Sequence, residues 1–258
     1  NAKKKNTLFK HWSKVEGGAD AYNFDDTVTD DFTLHAVYYE IPASQTRIYD
    51  IQGTNHVSSL EGQNVTNVPG IVTGIHYSKG STDGFYMQDQ DGDGNKVTSD
   101  GIFVYCGKNK VPTTLSIGDA ATVTGKVAEF GNKGLTITQL SRVTKVDIKS
   151  SDNTLPEAIK LTPDEMVKSV ATGPIGSLEP ASEAIDFYES LEGMRVTVEK
   201  PKVVAENTGN TYYIAPYNAQ GFSYRGGIMK PKYDANGNHV AAAMIPVYTV
   251  GCFSSTAN

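Results

Sequence analysis

Residues 120–148, AATVTGKVAEF-GNKG-LTITQLSRVTKVDI, decide how this chain folds. On either side of Gly131-Asn132-Lys133-Gly134 apolar and polar residues alternate with period two, the spacing of half-buried strands. The four residues between have the composition of a hairpin turn. Strands at 120–130 and 135–148 are long for a flat pair. Gly125 interrupts the first of them at a place where a bulge lets a small sheet curl.

Working outward, the same alternation recurs at 64–77, 84–89 and 101–106, with Gly70 and Gly74 inside the first run. Five strands, the first long and curled, fit an OB-like five-stranded barrel, expected over residues 47–152. Tyr, Thr, Val and Gly are frequent and helical Leu- or Ala-rich stretches are nearly absent, so the chain as a whole is expected to be mainly β. A short linker at 41–46 joins the barrel to residues 1–40, where a strand is expected at 33–38 and Trp12 and Phe24 are expected to anchor a small core. Forty residues rarely hold a core unaided, so the alternative for this segment is an edge hairpin packed on the next domain.

Residues 153–258 form a second β-rich module, OB-like or a sandwich, carrying short helices. A helix is expected to start at Leu161-Thr162-Pro163-Asp164-Glu165, with Thr162 as cap and Pro163 in the first turn. Another is expected at 184–191, ended by Gly193. Strands follow at 194–199, 211–215 and 241–250.

The net charge is −6, but residues 41–150 carry as many basic as acidic side chains. A protein that grips phosphates is usually basic on its binding face, so any contact with nucleic acid must come from a local patch. No apolar run approaches the length of a membrane-spanning helix, and no membrane insertion is expected. Cys106 and Cys252 are too few for a disulfide framework and have no metal-ligand spacing. They fall in different modules and are expected to be unpaired, with Cys106 buried in phase with Ile102 and Val104. No signal peptide is present, and the opening Asn1-Ala2 has the look of a tag remnant. The chain is expected to be a piece of a longer protein.

The order of several blocks points further. Ile48-Tyr49-Asp50-Ile51-Gln52-Gly53 is followed by Ser59-Leu60-Glu61-Gly62, Gly70-Ile71-Val72-Thr73 and Gly84-Phe85-Tyr86-Met87-Gln88-Asp89. Then come Asp91-Gly92-Asp93-Gly94-Asn95, Ser99-Asp100-Gly101-Ile102-Phe103-Val104-Tyr105, Val123-Thr124-Gly125-Lys126-Val127 and Leu191-Glu192-Gly193-Met194-Arg195-Val196. This order resembles the non-catalytic N-terminal region of ExeM/NucH-type extracellular nucleases, over about residues 47–200. The resemblance implies a secreted or surface-attached parent protein. It also implies a downstream catalytic domain of the endonuclease/exonuclease/phosphatase family as partner, and an accessory role for this chain. Residues 1–40 resemble part of a Listeria–Bacteroides (InlB B-type) β-grasp repeat through Phe9, Trp12, Gly17-Gly18, Tyr22-Asn23-Phe24, Val28-Thr29 and residues 33–38. That resemblance implies a β-grasp-like stalk or spacer.

Phosphodiester cleavage in that catalytic fold needs metal-binding carboxylates, His–Asp pairs and an Asn. His11, His35, His56, His76 and His239 are scattered, and none lies in a recognisable His-carboxylate motif. Zinc-protease, nucleophile-elbow, P-loop and Cys-pair motifs are also missing. The chain is expected to have no catalytic residues.

Two candidate binding sites remain. Residues 89–100, DQDGDGNKVTSD, have the spacing of a calcium loop. Asp89, Asp91 and Asp93 supply alternating carboxylates, Gly94 the sharp turn, Asn95 a backbone carbonyl, and Asp100 takes the twelfth position usually held by Glu. Structural calcium is the expected cofactor, and the alternative is a solvated acidic hairpin with Asx turns. The second site is a weak nucleic-acid face, for single strands or duplex, built from Tyr77, Phe85, Tyr105, Lys108, Lys110, Lys126 and Arg142, with Phe130, Lys133 and Lys145 as further parts. OB barrels bind by stacking bases on aromatics and tracking phosphates with basic groups. Alternation puts Phe85 and Met87 on one face and Tyr86 and Gln88 on the other, so either Phe85 or Tyr86 faces outward. Tyr212, Tyr213, Tyr217, Phe222 and Tyr224, with Arg225, form an aromatic cluster read as ordinary strand packing. The alternative to a nuclease accessory is a structural or adhesive cell-surface module that binds a protein or glycan.

Overall fold

A computed structural model describes residues 6–42, 44–78, 80–131, 136–162, 176–208, 211–218, 222, 224 and 245–248. The chain is mainly β. Its centre is a closed five-stranded barrel of β3 (Asn64–Ser78), β4 (Ser81–Gln88), β5 (Gly101–Tyr105), β6 (Ala120–Phe130) and β7 (Ile137–Ser150). Around the barrel the order is β3-β4-β5-β7-β6, with β6 returning to β3. All pairs are antiparallel except β5 with β7. That connectivity is the OB arrangement expected from the period-two runs.

The barrel curls where the sequence places glycine. The register of β3 against β4 shifts between Val72 and Gly74, and that of β6 against β7 shifts between Thr124 and Lys126, on either side of Gly125. Gly70 serves differently: it lies where Met87 and Ile48 press against the strand and a Cβ would crowd both.

The core holds Val65, Val68, Val72, Phe85, Met87, Ile102, Val104, Val123, Val127 and Leu140. One end is plugged by a helix that period-two reading does not show, α1 (Ile48–Gln52). Asp50 Oδ2 accepts the Arg47 N–H at 2.8 Å and fixes its first turn. Ile48 and Ile51 are fully buried in the barrel core.

The first segment is a hairpin of β1 (Thr7–Ser13) and β2 (His35–Glu40). Leu8 and Ile41 pack with Ile71 and Ala120 of the barrel, and Ser150 Oγ donates to the Phe9 carbonyl. Phe24, expected as a core anchor, is 68% exposed, and Trp12 is half-buried against Phe9. So short a segment cannot enclose its own core, and it buries Leu8 on the barrel instead.

Beyond the barrel, β8 (Ile159–Leu161) pairs in parallel with β9 (Val196–Val198), and α2 (Ala184–Glu189) lies between them in sequence. β10 (Pro201–Thr208), β11 (Thr211–Pro216) and β12 (Ile245–Tyr248) form an antiparallel sheet. The expected helix start at Pro163-Asp164-Glu165 lies outside the described residues, as do the turn residues Asn132, Lys133 and Gly134. Cys106 is free and half-buried, while Cys252 lies outside the described residues. Among the described residues no helix is long and apolar enough to cross a membrane.

Candidate functional site: an acidic loop and an aromatic face on the barrel

The loop between β4 and β5 carries the expected acidic run, but its first carboxylate is already committed. Arg47, just before α1, donates from Nε to Asp89 Oδ2 at 2.7 Å and from Nη2 to Oδ1 at 2.6 Å. The two side chains are 7% and 0% exposed. Burial alone would lower the guanidinium, but the hydrogen bonds and charge of Asp89 outweigh it and hold Arg47 above its ordinary value. Asp89 Oδ1 also accepts the N–H groups of Asp91 and Gly92, each at 3.1 Å. Asp89, the expected first ligand, thus has both oxygens bonded to an internal cation 42 residues earlier.

The other loop acids are held in different ways. Asp91 Oδ2 accepts the Asn6 N–H at 2.9 Å. Asp93 accepts the Asn95 N–H and the Thr98 hydroxyl, both at 2.8 Å, and Asn95 Oδ1 accepts the Val97 N–H at 3.1 Å. Asp100 differs. Its Oδ1 is buried without a hydrogen-bond partner. Burial, and then the charges of Asp89 and Asp93, push its carboxyl up to about 6. Among the described residues no three His, Cys, Asp or Glu side chains converge on a common point in this conformation.

The aromatic face lies on the outside of β3, β4 and β5. Phe85 is fully buried in the core, which corrects its candidacy for base stacking. The strand alternation then turns Tyr86 outward. Its ring lies 4.9 Å from that of Phe103, and the His76 ring stands edge-on to Phe103 at 5.3 Å. Tyr105, two positions beyond Phe103 and so on the same face, is 42% exposed. Gly74 and Gly84 allow this layer: Tyr86 lies over Gly74, and a Cβ at Gly84 would overlap the Phe103 ring. His76 Nδ1 is 2.6 Å from Asp83 Oδ1 at the edge of the rings.

Of the expected basic residues, Lys108 and Lys110 are exposed in the turn after β5, beside β4, where the Asn109 N–H donates to the Thr82 carbonyl at 2.7 Å. Tyr77 is 38% exposed and paired with Thr82 at the same end. Lys126 and Arg142 sit on β6 and β7, on the wall that does not adjoin β4, as does the exposed Phe130. Lys145 pairs with Asp147 at 3.2 Å. The barrel thus gathers Tyr77, Tyr105, Lys108 and Lys110 and leaves Lys126 and Arg142 elsewhere. Tyr86 was legible as one of two alternatives in the alternation; Phe103, His76 and Arg47 carried no signal of their own.

In the third module Tyr213 and Phe222 pack on Val204 and Ala215, as read from the sequence, while Tyr224 is fully exposed and Arg225 lies outside the described residues.

No curated protein and no solved structure matches the chain. A family model described as a domain of unknown function, DUF8508, matches residues 147–251, so the third module and the end of β7 are similar to a domain family with no assigned function.

Proposed function

We propose that this chain is a non-catalytic accessory region of a secreted or surface-attached nuclease, whose barrel holds single-stranded nucleic acid beside a downstream catalytic domain. The observation that carries the reading is the layer of Tyr86, Phe103 and Tyr105 across β4 and β5, with Lys108 and Lys110 at its edge. Each base stacked on such a ring contributes about 1–3 kcal/mol. Two lysines on phosphates give a log–log salt slope of about −1.4 for a single strand, so binding is weak and lost early as salt rises. The resemblance of residues 47–200 to the ExeM/NucH-type region supplies the nuclease context.

Calcium belongs to the same proposal, held by Asp91, Asp93, the Asn95 carbonyl and Asp100, with Asp89 bound to Arg47. The partnerless buried oxygen of Asp100 fits a cation. A bound ion would neutralise the loop and brace the start of β5.

Fluorescence anisotropy with labelled single-stranded DNA and RNA tests the reading. Binding at low salt should weaken about 5- to 150-fold in Tyr105→Ala, and Lys108→Ala/Lys110→Ala should flatten the salt slope. Absence of binding at low salt, or binding untouched by Tyr105→Ala, would favour the adhesive-module alternative. The exposed Val15, Phe24 and Val28 between β1 and β2 support that second reading.

A further inference from the structure

The seam where α2 and the segment after it dock on the barrel is built from acids that have few donors to share. Glu192 is the central one. Its Oε1 accepts the Thr138 N–H of β7 at 2.9 Å and the Gln52 side-chain amide of α1 at 3.2 Å. Its carbonyl accepts the Ser99 hydroxyl at 2.6 Å. The next residue, Gly193, lies so close to Gly101 that a Cβ on either would overlap the other's backbone. The segment is therefore fitted to the barrel without slack.

Other titratable groups lie in the elements that form the seam. Glu129 of β6 already accepts the Ser58 N–H and the hydroxyls of Thr136 and Thr138. Glu189 and Asp186 come from α2. His56, buried in the loop after α1, has Nε2 3.0 Å from Asp186 Oδ1, off-line for a hydrogen bond, and Nδ1 3.1 Å from the Gly176 carbonyl. Glu192 and Glu129 thus both bond to Thr138, with the His56–Asp186 pair in the same seam, and two like charges on one residue are costly to hold at once.

We propose that this seam is a proton-held latch: Glu192 closes it as a neutral acid, and loss of its proton loosens the α2–β9 segment from the barrel. Burial first, and then the charges of Glu189 and Glu129, push Glu192 up to about 8, against the pull of Gln52 and Thr138. Burial pushes Glu189 up to about 7; nearby His56 opposes this, and Glu129 and Asp186 reinforce it. Between the ordinary value of 4.5 and these raised values the closed seam binds more protons than the open one. Its stability therefore falls as pH rises through that window and levels off above about 8. One such proton changes the open population by up to about tenfold per pH unit.

Amide hydrogen exchange on the full chain, corrected for intrinsic rates, reads the latch directly. Protection at Thr138 and Met194 should fall about tenfold or more from pH 6 to pH 8, while Val104 and Val123 in the barrel core stay unchanged. Glu192→Gln keeps an acceptor oxygen for both donors and has no proton to lose, so its seam protection should fall clearly less than the wild type's over the same range, and adding Glu189→Gln should leave it flat. Equal falls in the wild type and Glu192→Gln, or a flat wild type, would overturn the proposal. A carbon-detected titration of the Glu192 side-chain carboxyl in the unmodified chain is an independent test: a midpoint near 4.5 sinks the idea even if the variant folds poorly.

Discussion

At the scale of single residues, Arg47 and Asp89 make the most consequential contact in the barrel's loop end. A buried ion pair is costly to assemble but costlier to break, because the survivor keeps its charge without water or partner. Arg47→Met is expected to lose about 3–5 kcal/mol in urea denaturation. Adding Asp89→Asn should recover part of that loss, since no charge is then stranded. A double variant as unstable as the sum of two singles would show that the pair acts through packing and not through charge. Cys106 gives a second test at this scale. Burial, with Asp83 nearby, pushes its thiol up to about 11, so only about one in a thousand is thiolate at pH 8. Alkylation at pH 8 should be about a hundredfold slower in native than in urea-unfolded protein. Comparable rates would mean that the side chain sits in open solvent.

At the scale of elements, α1 and the acidic loop carry separate expectations. Ile51 of α1 is fully buried against the barrel core, and Ile51→Ala should cost about 2–5 kcal/mol by transfer and cavity terms. Chemical denaturation checks this, and a loss below about 1 kcal/mol would mean that the helix is not the barrel's plug. For the loop, extracellular calcium modules bind at roughly 0.1–1 mM. At about 1 mM calcium and a Kd of about 0.1 mM, binding stabilises by about 1.4 kcal/mol, a rise in Tm of about 3–6 °C. Asp91→Asn/Asp93→Asn should abolish the rise. Asp89→Asn reports on Arg47 instead and should destabilise with or without calcium. A wild-type Tm indifferent to millimolar calcium would leave the turns made by Asp89, Asp93 and Asn95 as the whole account of the loop.

At the scale of the whole molecule, purified chain is expected to leave supercoiled plasmid and RNA intact in magnesium, manganese or calcium. Two His–carboxylate pairs are found among the described residues. His56–Asp186 is buried in the seam, and His76–Asp83 lies at the edge of the aromatic face. Nicking that survives repurification and disappears in His56→Ala or His76→Ala would overturn this. The seam also links the modules mechanically. Arg195 N–H donates to Gln88 Oε1 at 3.0 Å and its guanidinium to the Pro156 carbonyl, so β8, β9 and the barrel are tied at several points besides Glu192.

What the sequence determined by itself was whatever repeats locally. Period-two alternation placed five strands within a few residues of their observed bounds, and glycines marked two of the bulges that let them close. Composition sufficed for the mainly β class. The spacing of Asp89, Asp91, Asp93 and Asp100 was equally visible, but not its chemistry, because a carboxylate's partner is set by proximity in space. Only the tertiary structure decided that Asp89 answers to Arg47, that Tyr86 and not Phe85 faces outward, and that Lys126 and Arg142 lie on a different wall from Lys108 and Lys110. It alone brought together Gln52, Glu129 and Glu192, which come from three separate stretches of chain. Strand periodicity is a property of consecutive residues; burial, charge partners and shared faces arise only when distant strands close on one another and exclude water between them.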